Sequence, residues 1–195
     1  MRNEIILVGP ICSGKTTIAK RLSRKLKIPH FNVDKVKNYF FHDLGYDNEA
    51  AESAYLKNGI KELYNYNKIF EFETIKKILS TYNNCIFDIG AGFLLYEDEN
   101  MQNEIFKILS AFSNKIMILP NPDIDKSIEI LNLRMHKRFK HDPELKNILS
   151  STPNYNYEEY IIKLYYKNFS YLKTYFTYHQ SIKSLSKSII KSLIA

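Results

Sequence analysis

The sequence predicts an α/β fold, a five-stranded parallel sheet with helices on both faces. Three observations predict it. Short apolar strand patterns alternate with amphipathic helix patterns five times along the chain. The first strand is a continuous apolar run, as expected where helices cover both sides of a sheet. The 195 residues contain no Gly-, Ser- or Pro-rich linker and no internal repeat, so residues 1–195 read as one domain.

Ile5, Ile6, Leu7 and Val8 form the first strand pattern. A glycine-containing turn follows, and then Ile18, Leu22 and Leu26 repeat every four residues among Lys and Arg, which makes a helix with one apolar stripe. Pro29 ends that helix, and residues 31–34 (Phe-Asn-Val-Asp) read as the second strand. Residues 35–82 are mostly helical in pattern, punctuated by Gly45 and Gly59. Residues 85–87 form the third strand, ending at Asp88, and Gly90-Ala91-Gly92 turns the chain. A helix over 97–112 leads to a strand at 115–119 stopped by Pro120. Asp123 caps a helix carrying Ile124, Ile128 and Leu131. A polar, basic stretch from 136 to 153 follows. The chain then gives a helix over 157–173, a strand at 175–177 and a helix over 181–194.

The turn after the first strand carries the clearest chemistry. Gly9, Pro10, Ile11, Cys12, Ser13, Gly14, Lys15 and Thr16 match G-x-x-x-x-G-K-[ST], the Walker A pattern of P-loop NTPases. A chance match arises in about 1% of chains of this length, and here the motif also lies between a strand and a helix, as its mechanism requires. Glycines let backbone amides converge on phosphate oxygens. The helix starting near Lys15, with Thr17 in its first turn, adds the positive end of its dipole. Lys15 is placed to reach the β- and γ-phosphates of ATP, and the Thr16 hydroxyl to ligate Mg²⁺.

Two carboxylates sit where strands end. Asp88 follows an apolar strand and is the second expected Mg²⁺ ligand, its alternative being a turn cap toward Gly90. Asp34 ends the second strand pattern, where it can accept the proton of an attacking hydroxyl. Its alternative is the cap of a helix over 35–41. The basic stretch, a lid over about 136–153, is flanked by Arg134 and holds Lys137, Arg138 and Lys140. Arginine planes complement the charge on a transferring phosphoryl group, so Arg138 is a catalytic candidate and Arg134 a nucleotide-binding one.

Residues 9–34 (GPICSGKTTIAKRLSRKLKIPHFNVD) are similar to the opening of shikimate kinases and related small P-loop kinases. The FDIGAG segment, the LNLR segment before the basic stretch and the strand and helix at the C-terminus are also similar, so the resemblance covers nearly the whole chain as an order of elements. It implies a nucleoside-monophosphate-kinase-like fold and ATP-dependent transfer to a small hydroxylated acceptor. It also implies that Asp34 contacts the acceptor hydroxyl and that Gly90, Ala91 and Gly92 line the acceptor. The first aspartate of the family's D-x-D is Asn32 here. The substrate-binding arginine has no counterpart in residues 69–73, which offer Glu71 and Glu73 instead. An anionic acceptor would be repelled by such acids. The expected acceptor is therefore not shikimate itself, and Glu71 is expected to bind hydroxyls or an amine.

Composition bounds the partners. The net charge of +7 and pI near 9.2 suit an anionic ligand, but equally a solvated basic face. Tyr155, Tyr157, Tyr165 and Tyr166 keep a nucleic-acid 5′-hydroxyl kinase as an alternative through base stacking. Asn32 keeps a second alternative, a nucleotide-binding regulator without transfer. Two cysteines, Cys12 and Cys85, are too few for a disulfide framework. No apolar run has the length of a membrane span or a signal peptide core, so a cytoplasmic protein is expected. Oligomeric state is not legible.

Overall fold

The computed structural model describes residues 2–90, 92–140 and 157–194. In chain order the elements are β1 (Arg2–Val8), α1 (Lys15–Leu26), β2 (His30–Asn32), α2 (Val33–Asp43), α3 (Asn48–Thr81) and β3 (Ile86–Asp88). Then come α4 (Glu99–Ser110), β4 (Phe112–Leu119), α5 (Ile124–Phe139), α6 (Tyr157–Phe169), β5 (Lys173–Phe176) and α7 (Ile182–Ile194). The strands pair in the order β2-β3-β1-β4-β5, and every pairing is parallel.

Alternation along β1 divides the core in two. Ile6 and Val8 enter a layer with Phe87, Phe112, Ile75 and Phe169, beneath α2, α3, α4 and α6. Ile5 and Leu7 enter the opposite layer with Ile18, Leu22, Ile118 and Ile189, beneath α1 and α7. Both faces of the central strand are thus buried, which explains why its sequence is continuously apolar. Such a sheet offers ligands its carboxyl edge, where the loops after β1, β2 and β3 emerge side by side.

Several boundaries differ from the sequence expectation. The second strand stops at Asn32 rather than at residue 34, because the Asn32 side chain accepts a hydrogen bond from the Lys35 amide at 2.9 Å and starts α2. Such a cap stabilises a helix by about 1 kcal/mol. Asp34 therefore lies in the first turn of α2, neither at a strand end nor as the cap itself. Residues 136–139 of the expected lid belong to α5, and 141–153 lie outside the described residues. Asp123 does cap α5, accepting from the Lys126 amide at 3.1 Å. Gly59, at φ 65°, sits at a kink that breaks α3 after Asn58. Among the described residues no helix is long and apolar enough to cross a membrane.

Candidate active site

The loop after β1 is shaped by contacts that only its sequence allows. Gly9 has φ 145°, and a Cβ there would stand 2.3 Å from the Ile118 carbonyl oxygen on β4, so any other residue would force the loop off the sheet. Gly14 begins α1 without any side-chain cap. The first amides of α1 are left for a ligand, the arrangement that binds phosphate at helix N-termini. Ser13 is fully buried, and its hydroxyl has no hydrogen-bond partner. A buried polar atom without a protein partner inside a phosphate loop fits a loop built to hold an anion.

The C-terminal third of the chain braces this loop. Arg134 Nη1 donates to the Cys12 carbonyl and to Thr177 Oγ1, both at 3.1 Å. Thr177 Oγ1 donates in turn to the Ser13 carbonyl at 3.0 Å. The expected nucleotide ligand Arg134 is thus also a strut, half-buried against the loop, and burial lowers its pKa. Beside it, a cavity of about 580 Å³ opens between α5 and the Tyr178–His179 turn.

Lys15 is buried, and its ammonium donates to the Pro10 carbonyl at 3.0 Å. Loss of hydration pushes its pKa down, opposed by the carboxylates of Asp88 and Asp34. Asp88 is 2% exposed. Its Oδ2 accepts from Asn32 Nδ2 at 2.7 Å and lies 3.2 Å from His30 Nε2. Asn32 and Asp88 are register partners on β2 and β3. An aspartate at position 32 could not donate to Asp88, so the asparagine is the complement of this carboxylate. Sequence reasoning missed His30, whose only signal is that it lies two residues before Asn32 in β2.

Asp34 faces the same loop from α2. Its carboxylate lies so close over Gly90 that a Cβ on that glycine would fall 2.1 Å from Oδ1. An alanine there would push the carboxylate aside. Asp34 is open to solvent along the cleft but closely walled by protein. Loss of hydration raises its pKa above the ordinary 3.8, against the pull of Lys15 and Lys37. Gly90 itself is held by the buried Tyr165, whose hydroxyl lies 3.4 Å from its carbonyl oxygen.

The two candidate glutamates separate. Glu71 stands over Gly92, its carboxylate oxygens 3.2 Å from the position of a Cβ there. Glu73 points instead toward α4, where it shares Lys76 with Glu104. Lys68, which the sequence did not single out, donates to Glu71 Oε2 and to the Gly92 carbonyl, both at 2.6 Å. The loop beyond Gly92 is anchored by buried Phe93, Leu94, Leu95 and Tyr96, and Gln102 bonds its backbone at Leu94 and Tyr96.

The structure therefore brings Lys15, Asp34, Asp88, Glu71, Gly90 and Gly92 to one sheet edge. Thr16 is half-buried and Thr17 exposed in the first turn of α1. Arg138 is exposed in the last turn of α5. Ala91 and Tyr155 lie outside the described residues. Tyr165 belongs to the core, and Tyr166 donates to the Asn121 carbonyl at 2.9 Å. Among the described residues no three His, Cys, Asp or Glu side chains cluster as a metal cage. Mg²⁺ needs no such cage, since it keeps several waters and takes one or two protein oxygens beside substrate phosphates. The Thr16 hydroxyl and the Asp88 oxygen left by Asn32 and His30 fit that requirement.

Sheet order, phosphate loop and braced carboxyl edge together define the P-loop, nucleoside-monophosphate-kinase-like fold. Three solved structures resemble the chain over nearly its full length. A shikimate kinase from Acinetobacter baumannii in complex with shikimate has a TM-score of 0.65 at 16% identity, covering 100% of this chain and 94% of that one. A shikimate kinase from Aquifex aeolicus has a TM-score of 0.58 at 19% identity, covering 98% and 96%. A deoxyadenosine kinase from M. mycoides with dCMP and dCDP bound has a TM-score of 0.56 at 18% identity, covering 98% of both. The sequence matches no protein-family model and no curated protein.

Proposed function

We propose that this chain is an ATP- and Mg²⁺-dependent phosphotransferase that moves the γ-phosphate of ATP to a hydroxyl of a small metabolite other than shikimate. One observation carries the reading. The Asp34 carboxylate lies against the bare backbone of Gly90 and within electrostatic reach of the buried Lys15 ammonium, at the edge where a loop-bound nucleotide would present its terminal phosphate. Two of the solved structures the chain resembles are a shikimate kinase bound to shikimate and a deoxyadenosine kinase, which supports the reaction class.

Each residue then has a defined task. The amides of residues 9–16 and Lys15 hold the phosphates. The base of the nucleotide lies in the cavity flanked by Arg134. An acceptor hydroxyl over Gly90 gives its proton to Asp34 as its oxygen bonds to phosphorus and the bond to the departing ADP oxygen breaks. A raised pKa makes Asp34 a better proton acceptor than an ordinary carboxylate. Arg138, exposed in the last turn of α5, would stabilise the charge on the transferring group. Thr16 and Asp88 would hold Mg²⁺, which neutralises phosphate charge when bound.

The test is ATP consumption by the purified protein in a screen of sugars, cyclic polyols, amino alcohols and nucleosides, with shikimate included. Transfer to no acceptor, despite nucleotide binding, would overturn the reading. Asp88→Asn is expected to raise the Mg²⁺ concentration needed for half-maximal activity while leaving nucleotide affinity nearly unchanged. Titrating Mg²⁺ against rate checks this, and an unaltered requirement would make Asp88 only a structural partner of Asn32.

A further inference from the structure

The geometry points to an acceptor that is an uncharged polyhydroxyl molecule, such as a sugar, cyclitol or nucleoside, selected because Lys68 is locked by Glu71 and cannot serve as an anion receptor. This rests on the phosphotransfer reading above and narrows it to a substrate class. The Lys68 ammonium has three protons to donate. Glu71 Oε2 and the Gly92 carbonyl each accept one at 2.6 Å. The rings of Tyr64 and Tyr96 cover the cation, with centroids 4.3 and 4.9 Å away. The Lys68 and Glu71 side chains are only 11% and 15% exposed.

A carboxylate or phosphate on the acceptor would have to displace Glu71, and Glu71 would then be a poorly hydrated anion without its partner. Hydroxyl groups meet no such obstacle. A carboxylate oxygen in this setting still accepts donors, because a carboxylate has about four lone-pair directions. Asp34 supplies the same chemistry at Gly90, two residues from Gly92. Two acceptor-only groups thus overlook two glycines, Asp34 from α2 over Gly90 and Glu71 from α3 over Gly92. Among the described residues, Lys15 and Lys37 are the cations whose charge acts on Asp34.

A matched pair of probes reads the charge term alone: shikimate and its uncharged methyl ester, with binding measured by calorimetry in the presence of ADP. Wild type should bind the ester at least as tightly as the acid. Glu71→Gln keeps the side-chain size but removes the negative charge that pairs with the ammonium, and the acid should then gain about tenfold or more relative to the ester, as a new charge-assisted hydrogen bond gives. An acid preferred by wild type would overturn the proposal, as would an acid-to-ester ratio unchanged by Glu71→Gln or no binding of either probe to wild type. If Glu71→Gln does not fold, the wild-type ratio alone decides. Failure of the phosphotransfer reading shows separately, as absence of ATP consumption in the acceptor screen, since the binding ratio is read without turnover.

Discussion

Lys15→Ala is expected to abolish measurable phosphate transfer and to weaken nucleotide binding. Removing one preorganised donor from a developing charge typically costs about 10²–10³ in rate, and Lys15 contributes a full charge in a buried position. The same burial gives the substitution an opposite effect on the empty protein. The pKa of Lys15 is pushed below its ordinary 10.5 by loss of hydration. A lysine with a lowered folded-state pKa binds its proton less readily folded than unfolded. Its charge therefore opposes folding at every pH below that lowered value, and the opposition fades as pH rises through it. Lys15→Met, which keeps the aliphatic stem, should accordingly raise the melting temperature at neutral pH. Wild type should be stabilised by nucleotide through mass action, and the variant much less. Melting curves with and without ATP measure both effects. Turnover at the wild-type rate would remove the phosphate-loop assignment.

Asp34→Asn is the second large effect. Loss of a general base typically costs about 10²–10⁴ in rate, whereas the loop amides and Lys15 remain in place. The loss should fall on turnover, with nucleotide affinity close to wild type by calorimetry. Asn keeps the size of Asp, so the contact with Gly90 is preserved. The pH dependence follows from the raised pKa. Folded Asp34 holds its proton to higher pH than the unfolded chain does. The stability contributed by protonation is present below the ordinary 3.8 and is lost as pH rises through the raised folded value. At neutral pH the ionised carboxylate opposes folding, and Asp34→Asn should melt higher than wild type. Transfer by wild type should fall as pH drops through the same raised value, while nucleotide binding persists. If the variant turns over its acceptor as fast as wild type, Asp34 has no part in proton transfer.

The two substitutions also show what was legible in the sequence and what was not. The phosphate loop was legible because its chemistry is local, with eight consecutive residues between a strand and a helix. The order of elements was legible for the same reason, since each apolar period is read within a dozen residues. Asp34 was expected at the end of a strand and lies in the first turn of a helix. Asn32 diverts the chain into α2 two residues early, and it does so with a side chain that also serves Asp88. That second contact spans 56 residues and leaves no periodic trace. Residues 69–73 offer both Glu71 and Glu73, and residues two apart on a helix point about 200° apart, so only one could face the cleft. Lys68 was not singled out, because its distinguishing contact, the Gly92 carbonyl, lies 24 residues away.

The brace around the phosphate loop has a consequence for the order in which the protein becomes competent during synthesis. The loop is complete by Thr16, and β1 and α1 flank it directly in the chain. Its shape nevertheless depends on Arg134, 122 residues downstream, and on Thr177, 164 residues downstream. The strand beside β1 that Gly9 packs against, β4, is itself made only at residues 112–119. A nascent chain that has emerged only as far as α6 has the phosphate-binding sequence but neither the Thr177 hydroxyl nor β5 to set it. Domains assembled from such distant contacts close slowly. The phosphate loop is therefore among the last parts of the site to reach its working form, although its own residues precede those that brace it.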